Sequence, residues 1–356
     1  MFRYVHFGHA PSLARFLHDV IAALGRCGEG IDAHGRPIAA EDGAVSGGQK
    51  KRLNHRLKDE LEALFLPSEA ASSSLPLALL SEAGSPSGSA ADTWVFPTSM
   101  CGPVGVTQDA WATAAVLAAA ASHDTAKATT EATTVRLATA YLNPSAALLG
   151  ALRAAAGGAS GAGRTSTLEV MTAHAESHGF KSAKGAMALV PKCYAHISAA
   201  RVEPALTRFP VAPVAVTTQK AGASATTATT VTAAAEGGSV SLLAYRRPHW
   251  TFHAKGIWMR RDAVIDTITS STTESAAATV MGSSNYGRRS SELDLEAQLV
   301  VLTESPPLLA LLDEEWTRLA SKCEVTQLAP DRLRKARASA GGCLVAAAAA
   351  ATGRFL

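Results

Sequence analysis

The amino-acid sequence predicts an α/β fold in which a mixed β-sheet carries helices on both of its faces. Between residues 92 and 325, short apolar segments typical of strands alternate with longer segments of helical periodicity. Strands separated by helices of this length favour a parallel or mixed sheet. The chain has 356 residues, of which 47% are hydrophobic, so it is long enough to bury a large core.

The predicted elements follow one another in a regular order along this region. The strands are predicted at 93–97, 133–139, 166–172, 249–259, 279–285 and 293–302, and the helices at 107–121, 145–156, 184–197 and 306–323. Towards the amino end, residues 2–7 alternate as a short strand, while 12–27 and 50–65 have apolar residues at helical spacing.

Composition marks the boundaries between these regions. Residues 67–91 are rich in Ser, Pro, Gly and Ala and predict a flexible linker, whereas 326–356 is expected to be a C-terminal tail. Two low-complexity inserts, 217–239 and 266–278, are expected to be irregular. The second insert lies between the strands predicted at 249–259 and 279–285, so we predict that it is an expanded hairpin loop.

Charge and cysteine usage exclude several classes of protein. The net charge of +3 is too small to indicate nucleic-acid binding. The five cysteines form no Cys-x-x-Cys pair, which favours buried thiols in a reducing compartment over disulfides or a zinc site. His174 and His178 are four apart, but no third ligand is evident and we expect no metal there. No apolar segment reaches the length of a membrane span, and residues 1–7 show no targeting signal.

The chemistry is concentrated in two neighbouring segments. His253 and Lys255 are two residues apart, so on a strand they would share one face. If the next strand pairs with this one, its end brings Ser283 and Asn285 beside them. A neutral imidazole can act as nucleophile or as acid and base, and a lysine ammonium can bind a phosphate oxygen. Glu296 or Asp294 could hold the far ring nitrogen, and the set suits metal-free phosphoryl transfer.

His253-Ala-Lys255, followed by Gly-Ser-Ser-Asn at 282–285, resembles the HKD motif of the phospholipase D superfamily. The aspartate of that motif would fall at Arg260, with Asp262 nearby but offset. A closer resemblance is to the eukaryotic, mitochondrial type of phosphatidylglycerophosphate synthase. The segments that carry it are ADTWVFP (91–97), TAYLNPS (139–145), HGFKSAKGAMALVPKCYAHI (178–197), YRRPHWTFHAKGIWM (245–259) and MGSSNYGRRSSELDLEAQLVVLTE (281–304).

This resemblance implies a phospholipase D-like sheet and an activity. The family transfers a phosphatidyl group from CDP-diacylglycerol to glycerol 3-phosphate, releases CMP and needs no metal or other cofactor. It also implies a peripheral position on the mitochondrial inner membrane. The catalytic residues implied are His253, Lys255, Asn285 and Glu296, and the substrate-binding residues are Ser283, Ser284, Arg289, Lys184 and Arg247.

The sequence contains one His-x-Lys motif, whereas the resemblance implies two. We therefore expect residues 1–66 to be the remainder of a first lobe and 92–325 to be a second domain, with the other motif supplied by a missing N-terminal half or by a second chain. A single-motif phosphodiesterase or nuclease acting as a homodimer is one alternative, although it would favour a more basic surface. A non-catalytic structural or regulatory partner is the other.

Overall fold

A computed structural model describes most of the region after residue 91. The described residues are 92–121, 132–157, 165–207, 233–235, 238–262, 264–265, 272–273, 275–326 and 342–353, with 18–19, 22, 55 and 58–59. These six N-terminal positions are helical, in agreement with the helices predicted over 12–27 and 50–65. The remaining predictions for 1–66, and the linker 67–91, lie outside the described residues.

The described strands and helices alternate as the sequence predicts. The strands are β1 (Thr93–Cys101), β2 (Val106–Thr107), β3 (Ala132–Thr139), β4 (Thr165–Ala173), β5 (Ala233–Ala235), β6 (Gly238–Tyr245), β7 (Lys255–Arg261), β8 (Val264–Ile265), β9 (Thr272–Thr273), β10 (Ala276–Gly282), β11 (Leu295–Thr303) and β12 (Cys323–Thr326). The helices are α1 (Gln108–Ala121), α2 (Ala146–Gly157), α3 (Val190–Ile197), α4 (Glu203–Thr207), α5 (Arg288–Glu292), α6 (Pro306–Ala320) and α7 (Gly342–Thr352). Short 3-10 helices span Gly102–Val104, Ala175–Ser177 and Gly185–Leu189, and a π-helical turn spans Ser198–Val202.

One mixed sheet organises the molecule. Its strand order is β12-β6-β4-β3-β7-β10-β11-β1-β2, with β5 paired to β6, while β8 and β9 pair separately. The neighbours β3, β4 and β6 run parallel, and the other pairs in the sheet are antiparallel. The connection from β3 to β4 runs through α2, as a parallel pair requires.

Helices cover both faces of this sheet, as predicted. Alternate residues of a strand point to opposite faces. Leu168 and Val170 of β4 belong to the cluster formed with α1 and α2, while Met171 belongs to the cluster formed with α6. Such two-sided burial explains why the central strands are apolar without a clean polar alternation.

The strands that carry the motif residues are shifted from their predicted bounds. The strand predicted over 249–259 begins only at Lys255, and the one predicted over 279–285 is β10, which ends at Gly282. Before β7 the backbone turns, because His249 adopts a φ of 62° and Trp250 N donates to Arg247 O at 3.2 Å. The hairpin itself is confirmed, since β7 and β10 pair antiparallel with Ile257 opposite Val280.

Both low-complexity inserts contain some regular structure, so the expectation of irregularity is wrong there. In the first, 233–235 form β5 and 238–239 begin β6, while 217–232 and 236–237 lie outside the described residues. In the second, 272–273 form β9, which pairs with β8, and 276–278 belong to β10. Backbone pairing to a neighbouring strand, which composition does not reveal, accounts for these differences.

The expected C-terminal tail contains a packed helix. The alanine-rich segment 342–352 forms α7, in keeping with the high helix propensity of alanine. Its Ala349 packs with Cys193 and Ile197 of α3, and Asn143 Nδ2 donates to Gly353 O at 2.8 Å. Within the described ranges, no helix is long and apolar enough to cross a membrane.

Arg260, at the position where the HKD motif has its aspartate, is part of an ionic cluster on the α6 face. Its Nε donates to Asp262 at 2.9 Å, and its guanidinium also pairs with Asp313 of α6. Arg136 donates to Asp313 at 2.7 Å and to Glu169 at 3.1 Å. Arg260 lies five residues along the strand from Lys255 and on the opposite face, so this position serves the sheet-to-helix contact.

We expect Asp313→Ala to lower the free energy of unfolding by about 1–2 kcal/mol, because two partly buried arginines lose a shared carboxylate. Glu314→Ala is the matched control: its carboxylate is exposed and pairs with Arg318 at 3.8 Å, so we expect a loss below about 0.5 kcal/mol. Urea denaturation measures both values. Equal effects of the two substitutions would contradict the assigned role of the cluster.

Candidate active site

The candidate site lies at the edge where the three parallel strands end. Thr139, the last residue of β3, pairs with Lys255, the first residue of β7. The β7–β10 register, continued beyond Ile257 and Val280, brings Gly282 beside Lys255. The residues that follow β10 therefore reach the same edge, and carboxyl ends of parallel strands are common binding positions.

His253 and Lys255 converge as predicted, although only Lys255 lies in the strand. Lys255 Nζ is 3.2 Å from Nδ1 and 3.3 Å from Nε2 of His253, and 3.3 Å from the His253 carbonyl oxygen. Phe252 anchors the segment before β7: it is buried, stacks on Tyr245 at 4.7 Å, and its N–H donates to Ser177 O at 2.8 Å. The pair thus depends on this anchor as well as on strand geometry.

Ser283 and Glu296 form the second part of the site. Ser283 Oγ donates a short hydrogen bond to Glu296 and accepts one from Ala297 N at 3.0 Å. β10 and β11 approach so closely at Gly282 that a Cβ there would collide with the backbone of Ala297, which accounts for the glycine before the serine.

The Asn285 backbone is held from both sides. Thr139 Oγ1 donates to Asn285 O at 2.7 Å, and Asn285 N donates to Ser290 Oγ at 3.1 Å. The side-chain Oδ1 is buried, and no described residue bonds to it. Because Thr139 also pairs with Lys255, Asn285 lies next to the lysine. The turn therefore follows β10 at the same edge of the sheet as the histidine–lysine pair, and direct contact of Ser283 or Asn285 with that pair stays a prediction.

Partial burial and the neighbouring lysine favour the neutral form of His253. Partial burial, together with the charge of Lys255, lowers the pKa of His253 below its usual 6.5. Burial also lowers the pKa of Lys255, while the carboxylate of Glu296 opposes this change. Lys255, Glu296 and Thr139 all project to the α1–α2 face, so Glu296 is the counter-charge of the lysine.

The predicted contact between an acidic residue and the far ring nitrogen of His253 is wrong. Glu296 points to Ser283, and Asp294 accepts from Arg289 Nε at 3.1 Å. The reason is positional: Glu296 lies on β11, two strands away from β7 in the sheet order. Glu296 thus acts on the site through Ser283 and through its charge.

Two residues predicted to bind substrate, Ser284 and Arg289, form hydrogen bonds or ion pairs with other groups of the protein. Ser284 is buried, and its Oγ accepts from Tyr286 N at 3.1 Å, so this geometry favours a role in the turn over substrate contact. Arg289 is exposed and pairs with Asp294 at 3.1 Å. A phosphate would have to compete with that carboxylate for the guanidinium.

The remaining two predicted ligands lie on neighbouring loops. The guanidinium of Arg247 stacks over the Trp250 ring at 3.8 Å from the centroid. Lys184 is exposed at the start of the 3-10 helix 185–189, which replaces the first turn of the helix predicted over 184–197. Substrate contacts of both residues stay predictions.

An aromatic wall formed by Tyr141, His178 and Tyr194 lies beside His253, and the sequence analysis did not predict it. The Tyr141 ring meets the His253 ring edge-on at 6.1 Å and lies 5.1 Å from His178 and 5.4 Å from Tyr194. A Cβ at Gly179 would come within 2.6 Å of the Tyr141 hydroxyl, so the glycine permits this position. The available signal was the position of Tyr141, two residues beyond the carboxyl end of β3.

His178 supports this wall and is not arranged as a metal ligand. Its Nδ1 accepts from Phe180 N at 3.2 Å, which places the ring proton on Nε2. Burial lowers the pKa of His178 to about 4, so it is neutral at physiological pH. Among the described residues, no three His, Cys, Asp or Glu side chains gather as a metal site would require.

A buried carboxyl group, Asp109, lies behind Glu296 and was also missed. It is in the first turn of α1 and is almost fully buried. Burial raises the pKa of Asp109 to about 6; the side chains of Thr98 and Gln298 partly offset this rise, and the charge of Glu296 adds to it. Glu296 therefore has an acidic neighbour as well as the lysine.

The structure defines a mixed α/β domain with helices on both faces of its sheet and a histidine–lysine pair where the parallel strands end. Among solved structures, the phosphatidylserine synthase of Haemophilus influenzae matches 98% of this chain and 61% of its own, with a TM-score of 0.54 and 13% identity. At that identity the match supports the fold alone. No protein-family model matches the chain.

Comparison with curated protein sequences gives similarities of a second kind. A probable CDP-diacylglycerol–glycerol-3-phosphate 3-phosphatidyltransferase of Dictyostelium discoideum is 26% identical over 229 residues, covering 63% of this chain and 30% of that protein. The mitochondrial enzymes of that name from Bos taurus and Homo sapiens are 27% and 26% identical, over 67% and 65% of this chain. These similarities confirm the predicted resemblance to mitochondrial-type phosphatidylglycerophosphate synthases. The chain spans about a third of the length of these relatives.

We expect His253 to titrate below pH 6.5, and Lys255→Met to raise its pKa part of the way back, because the charge is removed while the burial remains. NMR titration of the imidazole C2 proton measures this, with the signal assigned from His253→Gln. Lys322→Met, at an exposed lysine, is the control and should leave the titration unchanged. A pKa of His253 that is the same in the parent and in Lys255→Met would contradict the contact.

We expect Asp109→Asn to remove a pH dependence of stability. The raised pKa means that the folded protein binds the Asp109 proton more tightly than the unfolded protein does. This proton binding stabilises the fold fully below about pH 4, and the stabilisation is lost as the pH rises through about 6. At pH 7 the variant should be more stable by about 2–3 kcal/mol.

Urea unfolding between pH 4 and 7 tests this. Asp92→Asn, at an exposed carboxylate just before β1, is the control and should keep the slope. An identical slope in the parent and in Asp109→Asn would refute the assignment.

Proposed function

We propose that this chain contributes one catalytic half to a phosphatidyltransferase. The reaction moves the phosphatidyl group of CDP-diacylglycerol to a hydroxyl of glycerol 3-phosphate, giving phosphatidylglycerophosphate and CMP. The observation that carries the proposal is the convergence of His253, Lys255 and the Ser283–Asn285 turn at one open edge of the sheet. The names of the related curated proteins indicate the substrates.

The geometry suits a double displacement at phosphorus. A neutral histidine nitrogen attacks the phosphatidyl phosphorus, the bond to the bridging oxygen breaks, and CMP leaves with a proton from a second acid. The acceptor hydroxyl then gives its proton to that second group and attacks the phosphohistidine, which releases the first. His253 suits the nucleophilic role, since its lowered pKa favours the neutral form and Lys255 lies against its ring.

Lys255 and Asn285 are proposed to bind the phosphoryl oxygens. The ammonium is held among the His253 ring, its carbonyl oxygen and the charge of Glu296, so it offers fixed donors to an oxyanion. Asn285 has its backbone fixed on both sides, which leaves the side-chain amide for ligand. Lys184, Arg247, Arg289 and Ser283 are proposed as secondary contacts. The proposal assigns these roles to side chains and includes no metal or cofactor.

A second histidine is required on the other side of the phosphorus. The sequence has one His-x-Lys motif, at His253. We therefore propose that another protein segment or a second copy supplies the partner motif. By analogy with the mitochondrial relatives, we propose that the protein acts at the mitochondrial inner membrane as a peripheral protein.

CMP release from CDP-diacylglycerol, with and without glycerol 3-phosphate, tests the proposal. We expect little turnover by this chain as a monomer, and turnover when a segment with a second His-x-Lys motif is supplied. His253→Ala should then lower the rate by about a thousandfold or more, because a catalytic pair acts as a unit. Lys184→Ala should mainly raise KM. His55→Ala, at an exposed histidine outside this site, is the control.

Three outcomes decide between the functions. Full activity from a monomer would contradict the need for a second motif. Activity only in a homodimer, with hydrolysis of phosphodiesters and no use of glycerol 3-phosphate, would favour the single-motif phosphodiesterase. Absence of CMP release even with the second motif supplied would favour a non-catalytic partner role.

A further inference from the structure

Two exposed apolar elements lie on loops next to the candidate site. The 3-10 helix Gly185–Leu189 leaves the side chains of Ala186, Met187 and Ala188 exposed, with Met187 at 48%. On the loop that leads to His253, the Trp250 side chain is 46% exposed. Exposed apolar groups that combine with charge in adjoining loops are a feature of surfaces that contact a partner or a membrane.

Hydrogen bonds tie the two loops into one unit. Ser177 Oγ donates to Arg247 O at 3.3 Å and accepts from Arg247 N at 3.0 Å, while its carbonyl oxygen accepts from Phe252 N at 2.8 Å. The chain then turns through two further bonds, from Lys181 N to His178 O and from Ala183 N to Phe180 O. The loop of Met187 is therefore anchored to the loop of Trp250, and one of the anchoring bonds is at Phe252, one residue before His253.

The surroundings of these apolar residues are basic. Between Glu176 and Glu203 the chain contains no acidic residue. In this stretch Lys181, Lys184 and Lys192 are exposed. The acids at its margins are engaged: Glu176 pairs with Arg246 at 2.8 Å, and Asp294, near Tyr194, pairs with Arg289 at 3.1 Å. The local field around Met187 therefore favours an anionic partner.

We propose that the surface formed by Met187, Trp250, Lys181, Lys184 and Lys192 docks the protein on an anionic lipid bilayer. Met187 and Trp250 enter the interfacial layer, where amphipathic aromatic and apolar side chains are stabilised. The three lysines contact lipid phosphates, each with a gain typical of basic residues at a charged membrane. The proposal rests on the proposed function, since it explains how the phosphate of a bilayer lipid reaches His253 while its acyl chains stay in the membrane.

Two other exposed apolar residues lack this setting and serve as controls. Trp111 is 62% exposed on α1, which contains no basic residue, and Leu311 is 59% exposed on α6, just before Asp313, Glu314 and Glu315. An acidic neighbourhood disfavours an anionic membrane. Exposure alone therefore does not separate the docking surface from the rest, whereas exposure combined with basic charge does.

Sedimentation with lipid vesicles tests the proposal without any substrate. The whole chain is mixed with vesicles of phosphatidylcholine, or of phosphatidylcholine with phosphatidylglycerol. We expect binding to the mixed vesicles, lowered about tenfold in Met187→Asp and about fivefold for each of Lys181→Glu and Lys192→Glu. Leu311→Asp should bind like the parent. Circular dichroism confirms that each variant is folded.

Tryptophan fluorescence gives an independent readout. Brominated lipids should quench the parent and Trp111→Phe, but should quench Trp250→Phe much less. No binding of the parent to mixed vesicles, equal binding of parent and Met187→Asp, or equal loss in Leu311→Asp would each overturn the proposal. Because neither assay contains CDP-diacylglycerol, failure of docking is distinguishable from failure of transfer, which is read from CMP release.

Discussion

The site depends on the position of β7 between β3 and β10. Its first residue, Lys255, is opposite Thr139 at the end of β3, and its partner β10 leads directly into the Ser283–Asn285 turn. This antiparallel strand, placed next to three parallel ones, brings the lysine to their carboxyl ends. Without that pairing, the lysine, the turn and the aromatic wall would have no common edge.

Glycine and threonine make this close arrangement possible. Gly282 lets β10 and β11 approach, and Gly179 leaves space for the Tyr141 hydroxyl. Thr139 has a double role, since it pairs with β7 and its hydroxyl fixes the carbonyl of Asn285. The polar groups that surround the reacting atoms are thus oriented by backbone contacts before any ligand arrives, as electrostatic catalysis requires.

Much of the fold and the centre of the site could be predicted from the sequence, because both depend on patterns of residues close together in the chain. Alternating strand and helix periods gave the mixed sheet, and two spacings gave His253 with Lys255 and Ser283 with Asn285. Contacts between separate elements of the fold could not be predicted from these patterns. Asp109 reaches Glu296 only through the packing of α1 on the sheet, and Tyr141 meets His178 only through the adjacent ends of β3 and β4. The packing of α7 likewise depends on a neighbour distant in the chain, helix α3.

The central claim is that His253, Lys255 and Asn285 form one oxyanion site. A crystal structure of the chain soaked with vanadate, an analogue of a phosphoryl group in transfer, tests it most directly. The account predicts vanadate oxygens within about 3 Å of Lys255 Nζ and of the Asn285 amide, with a ring nitrogen of His253 facing the vanadium. Vanadate bound only by Arg247, Arg289 or the exposed lysines, with His253 turned away, would contradict it.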